Sequence, residues 1–542
     1  QATDGLAFVT LRRWIDLLNF LAPMESEPFR AFRRQILRGE IPGTEASEAF
    51  ERALLHATLT VVGEEYQFDV FDSANQDRTV DRFVGLLETR QDALRAVIPA
   101  YLYERRSFDA SSAVGAVGKL RAELNAKRRG AKSVRDLLTK YPELIPELAP
   151  CFLMSTDSVA KFLVPGLIKF DLIVFDEASQ IRVEDSIGAM GRATSVVVVG
   201  DSKQMPPSSA FSASSSNEDD QSDSTTDEID VVPIDEESIL EECVESGLPR
   251  EMLEWHYRSR DEVLIAFSNS HYYGGRLSSF PAPVVSQPDC GFEYHRVNGL
   301  FHRSHSAGKG LMHTNPIEAE AIVKDVQRRA NHPHLSQFTM GVVTLNDSQR
   351  KLIAAMLEEL NDDAVNSLLD SEDPEERLMV LNLENVQGRE RDVIIFGTSF
   401  SRQDPNQPMP LNFGPLVKKR GERRLNVAVT RARRQVIVYS SFDPEDLSRS
   451  NAQALQDLRD YLLLARAAGS DRDAFDQSVS SDSDPYVDEV ARGLEESGLV
   501  VRRHYGLSSF KVDLAVTLPG MESRWLIGVL LDGSEWSHRS LV

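Results

Sequence analysis

The sequence predicts an α/β protein whose parallel sheets are covered by helices, and two observations lead to that prediction. Between residues 151 and 210, apolar β-rich runs at 170–175 and 195–199 flank a helix-like stretch at 181–193. A second block of alternating strand-like and helical runs spans residues 249–465. Because such alternation is typical of βαβ units, each block is expected to form a parallel sheet.

The strand-like runs of the second block share an apolar, β-rich composition, and helical runs separate them. They lie at residues 341–345, 378–381, 392–396 and 435–439. Upstream, residues 11–18 and 81–87 show apolar side chains at helical spacing. The first 150 residues therefore predict a helical stalk or insertion.

Composition divides the chain further. A Ser/Asp/Glu-rich tract at about 212–237, without Lys or Arg, predicts a solvated and disordered loop. The predicted domains are a helical insertion at 1–150, the C-terminal part of a first lobe at 151–248, a second lobe at 249–465, a polar linker at 466–484 and a small module at 485–542. The module is expected to contain a helix at 487–497 and strands at 500–505, 511–516 and 525–531.

Charge and cysteine content narrow the class of protein. The 542 residues carry a net charge of −24, which argues against a protein that binds nucleic acid through its overall charge. Basic clusters at 121–135 and 418–424 keep a nucleic-acid partner open. No apolar run approaches the about 18 residues of a membrane span. Three widely separated cysteines without metal-ligand spacing favour a cytoplasmic protein.

The most informative stretch is the apolar run at 170–175, because it stops at two adjacent carboxylates, Asp176 and Glu177. The carboxyl ends of parallel strands open into ligand sites. In a phosphoryl-transfer enzyme, Asp176 would hold the Mg²⁺ of a nucleotide, and Glu177 would orient or deprotonate the attacking water. An isolated acidic pair would be interpreted as ordinary surface, so the catalytic interpretation depends on the other motifs.

Four further segments lie beside predicted strand ends and carry side chains suited to phosphate chemistry. Their residues are Gly200, Asp201 and Gln204; Arg258; Gly388 and Glu390; and Arg424, Asn426, Thr430 and Arg431. Gln204 could hydrogen-bond a γ-phosphate or the attacking water, and Arg258 could clamp a transferring phosphate. Gly388 permits a close backbone approach. The order of these segments along the chain favours one shared site.

Together the motifs resemble those of superfamily-one helicases of the branch that includes nonsense-mediated-decay helicases, over residues 150–465. The resemblance implies two RecA-like lobes that bind ATP and Mg²⁺ in their cleft. It implies that Asp176, Glu177 and Gln204 are catalytic and that Arg258 and Arg431 are arginine fingers. It also implies nucleotide binding by Gly200, Asp201, Gly388 and Glu390. Nucleic acid would be bound by Ser155, Thr344 and Thr430.

A closer likeness is to bacterial defence proteins that join such a helicase to a C-terminal Vsr-like nuclease of the PD-(D/E)xK, restriction-endonuclease-like type. The segments 150–155 and 412–416 are similar to that group. The resemblance implies a divalent-metal site at Glu489 and Asp513, with Asp532 as a tentative further ligand. Leu530 stands where the family carries an acid, so an inactive or only DNA-binding module is an alternative.

The chain also departs from the helicase family. It contains no phosphate-binding (Walker A) loop, because its Gly-Lys pairs at 118–119 and 308–309 lack the required Gly and Ser/Thr neighbours. The sequence starts at Gln1 without an initiator Met, so we expect an internal fragment whose loop lies upstream. Such a fragment is expected to hydrolyse little or no ATP alone. A degenerate motor is the competing explanation.

The predicted function is an ATP-dependent DNA translocase or helicase, coupled to a nuclease-like domain, that acts on foreign DNA in antiviral defence. The expected partner is single-stranded or partly duplex DNA, and no membrane association is expected. Two alternatives stay open: a catalytically defective nucleic-acid-binding or regulatory protein, and an RNA helicase. The sequence does not define an oligomeric state.

Overall fold

The computed structural model of the chain describes residues 2–26, 29–42, 44–66, 72–109, 111–126, 131–207, 238–283, 289–303, 311–468 and 484–531. It divides into two compact units, one of Gln1–Ala131 with Glu143–Cys151 and the other of Lys132–Pro142 with Phe152–Val542. The predicted disordered loop at about 212–237 lies outside the described residues. All the predicted strands that the structure describes fall in the second unit.

The first unit is helical, as its apolar spacing predicts. It holds α1 (Ala2–Phe20), α2 (Arg30–Leu37), α3 (Ala46–Tyr66), α4 (Ser73–Glu104) and α5 (Gly115–Leu124), whereas α6 (Val134–Lys140) belongs to the second unit and α7 (Leu144–Leu148) to the first. The longest helix, α4, begins where the Asp72 carboxylate accepts the backbone N–H groups of Ala74 and Asn75, a standard N-cap. None of the described helices is both long enough and apolar enough to cross a membrane.

The first lobe of the second unit is a small βαβ arrangement. It comprises α8 (Thr156–Phe162), β1 (Phe170–Phe175), α9 (Val183–Met190), β2 (Ala193–Val198) and α10 (Ile239–Glu245). The strands β1 and β2 pair in parallel from Phe170 opposite Ala193 to Phe175 opposite Val198. Their carboxyl ends therefore lie side by side, which brings Asp176 close to the loop that starts at Gly200. The predicted parallel pairing of this block is confirmed.

The second lobe is built on a five-stranded, fully parallel sheet in the order β3-β7-β6-β4-β5. Its elements are α11 (Val263–His271), β3 (Gly291–Arg296), α12 (Pro316–Ala330), β4 (Met340–Thr344), α13 (Asp347–Glu359), α14 (Asp363–Leu369), β5 (Met379–Asn382), β6 (Arg391–Gly397), α15 (Gly421–Val429), β7 (Ala432–Ser440) and α16 (Gln453–Ala468). The four strands predicted for this block all form, and the edge strand β3 adds a fifth.

Apolar side chains bury both faces of this sheet. One core contains Phe396, Leu458 and Tyr461, and the other contains Ile322 and Ile395. Burial on both faces is the usual condition of a parallel sheet, because helices cover each side. The result is a rigid platform whose strand ends carry the loops of the candidate site.

A small C-terminal module follows. It contains α17 (Pro485–Glu496), β8 (Val500–Tyr505), β9 (Val512–Thr517) and β10 (Ile527–Val529), with strand order β10-β9-β8 and antiparallel pairing. Val487 and Ala491 of α17 are buried in one cluster with Leu514 and Val516 of β9. The predicted elements form, although β10 is shorter than the apolar run at 525–531 suggests. The module is a helix packed on a sheet, as an α/β fold requires.

The module also contacts the second lobe directly. The Phe510 ring lies 5.4 Å from that of Trp255 and 5.6 Å from that of Phe280, between centroids. The backbone N–H of Leu507 donates to Glu262 Oε2 at 2.8 Å. These contacts place the module against the segment that leads from Trp255 into α11.

Candidate active site

Asp176 and Glu177 follow β1 directly, and both side chains are exposed at the strand end. Asp176 Oδ1 accepts the backbone N–H of Glu177 at 2.9 Å. Glu177 has φ 51°, in the left-handed region that non-glycine residues seldom adopt. Such backbone strain persists where the surrounding structure enforces it, which is common at functional sites. The geometry directs two neighbouring carboxylates out of the sheet.

The loop after β2 passes close to the strand end that carries these carboxylates. A Cβ atom at Gly200 would lie 3.1 Å from the backbone nitrogen of Ala178 and 3.0 Å from that of Ser179, so only glycine fits without a shift. Asp201 accepts the Lys203 backbone N–H at 2.8 Å and the Gln204 side-chain amide at 3.0 Å. Its carboxylate therefore organises this loop.

Arg258 is held by partners from two other motifs. Its Nε donates to Glu390 Oε2 at 2.6 Å, and its Nη1 donates to the backbone oxygen of Thr430 at 3.2 Å. Glu390 also lies 3.6 Å from Arg433 Nη1. The carboxylate that the resemblance assigned to nucleotide binding thus pairs with two arginines and fixes the position of one predicted arginine finger.

Arg431 is almost fully buried, with 2% of its surface exposed. Its Nε donates to the backbone oxygen of Val427 at 2.6 Å, and its Nη2 donates to Thr430 Oγ1 at 3.2 Å. Within the described part of the chain, no carboxylate lies within ion-pair distance of it. Burial, reinforced by Arg258, lowers the pKa of Arg431 to about 10, against the opposing attraction of Glu177. A buried cation without an acidic partner costs free energy that an anionic ligand would recover.

Hydrogen bonds join the two lobes across this site. Gln387 Nε2 donates to Glu177 Oε2 at 3.3 Å. Asn426 Nδ2 donates to the backbone oxygen of Lys203 at 2.9 Å. Both Nη atoms of Arg423 lie within 3.2 Å of Glu241 Oε1 on α10. The strand-end motifs that lie far apart in sequence therefore converge on one cleft.

Gly388 follows Gln387 in that cleft and has φ +74°. No described atom lies within 4 Å of the point where its Cβ would stand. The glycine is therefore required by the backbone conformation, and the close approach expected from the sequence does not involve another described part of this chain.

The residues predicted to contact nucleic acid lie in differing environments. Ser155 is exposed and caps α8, where its Oγ accepts the Ser158 backbone N–H at 3.2 Å. Thr344 is fully buried and donates to the backbone oxygen of Asn346 at 2.9 Å. Thr430 is 7% exposed, and its hydroxyl donates to backbone oxygens at the end of α15. The two threonines hold local backbone in this structure, and their role in nucleic-acid binding stays a prediction.

The C-terminal carboxylates form a second candidate region. Asp513 is 9% exposed on β9, and its Oδ2 accepts the Leu531 backbone N–H at 2.6 Å. Glu489 is exposed on α17, whereas Asp532 lies outside the described residues. Over the ranges that the structure describes, no cluster of three or more His, Cys, Asp or Glu side chains has the arrangement of a metal site.

The structure adds one residue that the sequence did not single out. Tyr273 follows α11 and bridges the lobes, since its hydroxyl donates to Asp201 Oδ2 at 2.6 Å and accepts from Asn426 Nδ2 at 3.0 Å. In the sequence it is one of two adjacent tyrosines after an apolar helix, a pattern typical of packing. Only the fold shows which of the two faces the cleft.

Comparison with known proteins relates the chain to helicases. Residues 236–443 match a family model described as an AAA domain. The chain is 28% identical over 358 residues to an uncharacterized ATP-dependent helicase, MG140, of Mycoplasma genitalium, covering 63% of this chain and 30% of that protein. It is 24% identical over 312 residues to the probable helicase MAGATAMA 3 of Arabidopsis thaliana, covering 55% of this chain and 33% of that protein.

A third relative is the DNA replication ATP-dependent helicase/nuclease JHS1 of Arabidopsis thaliana, 24% identical over 292 residues, with 50% of this chain and 19% of that protein covered. Among solved structures, the PRRSV helicase matches with a TM-score of 0.23 and 14% identity over 52% of this chain and 37% of that one. The chain spans no more than about a third of the length of these curated relatives. The matches to curated proteins support a likeness to ATP-dependent helicases, as the superfamily-one resemblance predicts, while the fused nuclease and the fragment status stay predictions.

Proposed function

We propose that the protein containing this chain is an ATP-dependent helicase or translocase motor. The observation that carries the proposal is Arg431, a buried guanidinium without a carboxylate partner in the described chain, within electrostatic reach of Glu177. An unpaired buried cation suits phosphate, and the exposed carboxylates of Asp176 and Glu177 suit a metal ion and a water molecule. A Mg²⁺–ATP complex with its attacking water would supply the phosphate, the metal ion and the water molecule.

The donor set fits Mg²⁺ at Asp176. Its Oδ2 receives no hydrogen bond from the described part of the chain, and carboxylate oxygen is a ligand that Mg²⁺ prefers. Bound Mg²⁺ would neutralise charge on the β- and γ-phosphates. Glu177 would orient or deprotonate the attacking water, while Arg258 and Arg431 would stabilise the charge of the transferring phosphoryl group.

A further part of the motor would complete the first lobe. The side chains of Leu172 and Val174 on β1 and of Val197 on β2 are 45–55% exposed. The described residues of this lobe form two paired strands, an arrangement that is marginally stable at best alone, and parallel sheets are normally covered on both faces. We infer that additional polypeptide covers these residues and supplies the phosphate-binding loop, so residues 1–542 alone would hydrolyse little ATP.

We further propose that the motor acts on single-stranded or partly duplex DNA in the cytoplasm, as part of defence against foreign DNA. Support comes from the helicase relatives, from the likeness to defence proteins at 150–155 and 412–416, and from the absence of disulfides among Cys151, Cys243 and Cys290. An RNA substrate is the alternative that the same motor would accommodate. Stimulation of ATP hydrolysis by DNA and by RNA, measured side by side, distinguishes them.

Replacing Glu177 tests the motor. In the full-length protein with single-stranded DNA, Glu177→Gln is expected to lower ATP turnover by about 10²- to 10⁴-fold, because it removes the general base. The control is Glu184→Gln, the same change on α9, where the exposed carboxylate lies 3.8 Å from Arg182. Phosphate release is the measurement. Turnover unchanged in Glu177→Gln would reject the assignment, and a fall in both variants would indicate a loss of fold instead.

The C-terminal module supports a second candidate function, a metal-dependent nuclease. Asp513 lies on the central strand β9, and its hydrogen bond holds Leu531, the residue before Asp532 in the sequence, against that strand. We propose that Asp532 takes the place of the acidic metal ligand that the family carries at the position of Leu530. Glu489 would be the third metal ligand, with Asp513 and Asp532. A module that only binds DNA is the alternative.

Plasmid cleavage in Mg²⁺ or Mn²⁺ tests the nuclease. Asp513→Asn is expected to lower cleavage by about 100-fold, because it removes a metal ligand while keeping an oxygen for the Leu531 N–H. Glu496→Gln, an exposed change on α17, is the control and should leave cleavage unchanged. Equal cleavage by the wild-type protein and Asp513→Asn would refute this site, and cleavage by neither would favour the DNA-binding alternative.

A further inference from the structure

A chain of hydrogen bonds crosses the cleft from the second lobe to the first. Asn426 Nδ2 donates to the Tyr273 hydroxyl at 3.0 Å, and that hydroxyl lies 2.6 Å from Asp201 Oδ2. Gln204 Nε2 lies 3.0 Å from the same Asp201 oxygen. Asn426 and Tyr273 belong to the second lobe, while Asp201 and Gln204 belong to the loop after β2. The four side chains therefore form one continuous path.

The direction of each hydrogen bond follows from chemistry. A carboxylate only accepts, so the Tyr273 hydroxyl gives its proton to Asp201, and its oxygen must accept from the Asn426 amide. Burial and the nearby Asp201 raise the pKa of Tyr273 well above its ordinary value, so the hydroxyl remains a donor at any physiological pH. The second Asn426 amide hydrogen goes to the backbone oxygen of Lys203 at 2.9 Å.

The same logic fixes the orientation of Gln204. Its amide nitrogen must face Asp201, because the amide oxygen would meet a second acceptor there. The amide oxygen, Oε1, and the second Nε2 hydrogen are then left for ligands. Oxygens of a γ-phosphate are acceptors and offer Oε1 no hydrogen, whereas the attacking water offers two. In this orientation Oε1 can accept a hydrogen bond from the attacking water, while the second Nε2 hydrogen can donate to a γ-phosphate oxygen, so both roles that the sequence left open for Gln204 are compatible with it.

We propose that Tyr273 is a positioning residue that, through Asp201, holds the Gln204 amide with its oxygen available to the attacking water. The inference rests on the proposed ATP hydrolysis and assigns a role within that site. Since Tyr273 and Gln204 belong to different lobes, the orientation is complete only while the lobes are together. The hydrogen bond from Tyr273 to Asp201 thereby couples ATP hydrolysis to closure of the cleft.

The adjacent tyrosine provides a matched control. Tyr272 donates its hydroxyl to Asp457 Oδ2 on α16 at 2.9 Å and is as deeply placed as Tyr273, but it takes no part in the path to Asp201. Replacing either residue by phenylalanine removes a single oxygen and keeps the ring. A purely structural contribution of the hydroxyl would affect both variants alike.

The test compares ATP turnover of Tyr273→Phe and Tyr272→Phe in the full-length protein with single-stranded DNA. Loss of a hydrogen bond to a charged group predicts a fall of about 10- to 100-fold in kcat for Tyr273→Phe. Its KM for ATP is expected to stay within about twofold, because the role proposed for the path is to position water and not the nucleotide. Tyr272→Phe is expected to keep the wild-type kcat.

A second comparison isolates the route through Gln204. In a Gln204→Ala background, Tyr273→Phe should cause no further fall in kcat, because the amide that it positions is gone. A wild-type kcat in Tyr273→Phe, or an equal fall in the presence and absence of Gln204, would overturn the proposal. Loss of turnover in Glu177→Gln alongside a normal Tyr273→Phe would reject only the positioning role. Normal turnover in Glu177→Gln would reject the ATPase assignment itself.

Discussion

The second lobe meets its two neighbours through junctions of different chemistry. The cleft junction, toward the first lobe, is rich in polar pairs such as Gln387 with Glu177, joined at 3.3 Å, beside one apolar contact of Met205 with the core of the second lobe. The module junction, toward the C-terminal module, centres on the rings of Trp255, Phe280 and Phe510, whose centroids lie 5.0–5.6 Å apart. Water can satisfy the polar groups of the cleft junction when they separate. The module junction also contains hydrogen bonds, such as that from the Leu507 N–H to Glu262, but its aromatic cluster consists of groups that water cannot satisfy.

This difference sets how readily each junction opens. A hydrogen bond contributes about 0.5–1.5 kcal/mol net, because water replaces it on separation. Aromatic pairs contribute a similar amount beyond the apolar area they bury, and that area is exposed again on separation. The cleft junction is therefore suited to repeated opening, as the proposed ATP turnover requires. The module junction is suited to a lasting contact, so we expect the module to move with the second lobe.

A residue of the module junction is close in sequence to a residue of the candidate active site. Trp255 precedes Arg258 by three residues, and its ring contacts that of Phe510. The module therefore packs against the segment that presents a predicted arginine finger. We expect changes at the cleft junction to act on turnover and changes at the module junction to act first on stability, and the following experiments test that division.

The largest effect is expected at Arg431. Arg431→Ala should lower ATP turnover by about 10³-fold or more, the range for removal of an arginine finger. Arg431→Lys should recover only part of this, because an ammonium lacks the planar fork that matches phosphate. The control is Arg449→Ala, at an exposed site after β7. Phosphate release is measured, and wild-type turnover in Arg431→Ala would show that its unpaired burial does not serve a nucleotide.

An intermediate effect is expected at the module junction. Phe510 is half-buried, so Phe510→Ala should destabilise the module by about 1–3 kcal/mol, below the cost of removing a fully buried ring. Faster hydrogen exchange in β8 and β9 is the measurement, with turnover reduced much less than in Arg431→Ala. Leu518→Ala, at an exposed site after β9, is the control. A loss of turnover as large as that of Arg431→Ala would show that the module acts on the chemistry.

The same contrast explains how far the sequence predicts this fold. The strand at 170–175 forms over the predicted residues, and the buried strands of the second lobe lie within a few residues of their apolar runs. Strand β3 was missed because Glu293 and His295, which pair with each other at 2.8 Å, interrupt its apolar residues; the other edge strand, β5, carries an apolar run and was predicted. A continuous apolar run reveals a strand wherever it lies in the sheet, whereas a short alternation of apolar and polar residues is a weaker signal.

Prediction of the site was limited in a similar way. Asp176, Arg258 and Arg431 were predicted as site residues because each occupies a recognisable motif, and their roles stay predictions. The partnership of Tyr273 with Asp201 joins residues 72 positions apart and depends on how the lobes meet. No local pattern distinguishes a tyrosine that packs from one that donates across a cleft. Long-range polar contacts therefore had to come from the structure.

The smallest effect is expected from the ion pair at the cleft junction. Arg423 and Glu241 lie 3.1 Å apart and are about one-fifth exposed, so the pair should contribute less than about 1 kcal/mol. Arg423→Ala is expected to raise the KM for ATP by about two- to fivefold at low salt. The difference should vanish near 1 M salt, where the screening length falls to about 3 Å.

Two comparisons sharpen this last prediction. Arg350→Ala removes a pair with Asp347 inside the second lobe, 2.6 Å apart, and should leave the KM unchanged. A double-mutant cycle between Arg423→Ala and Glu241→Ala isolates the pair itself from other effects of each residue. A large rise in KM that persists in high salt would mean that the cleft junction is held as firmly as the module junction. The distinction between an opening contact and a lasting one would then fail.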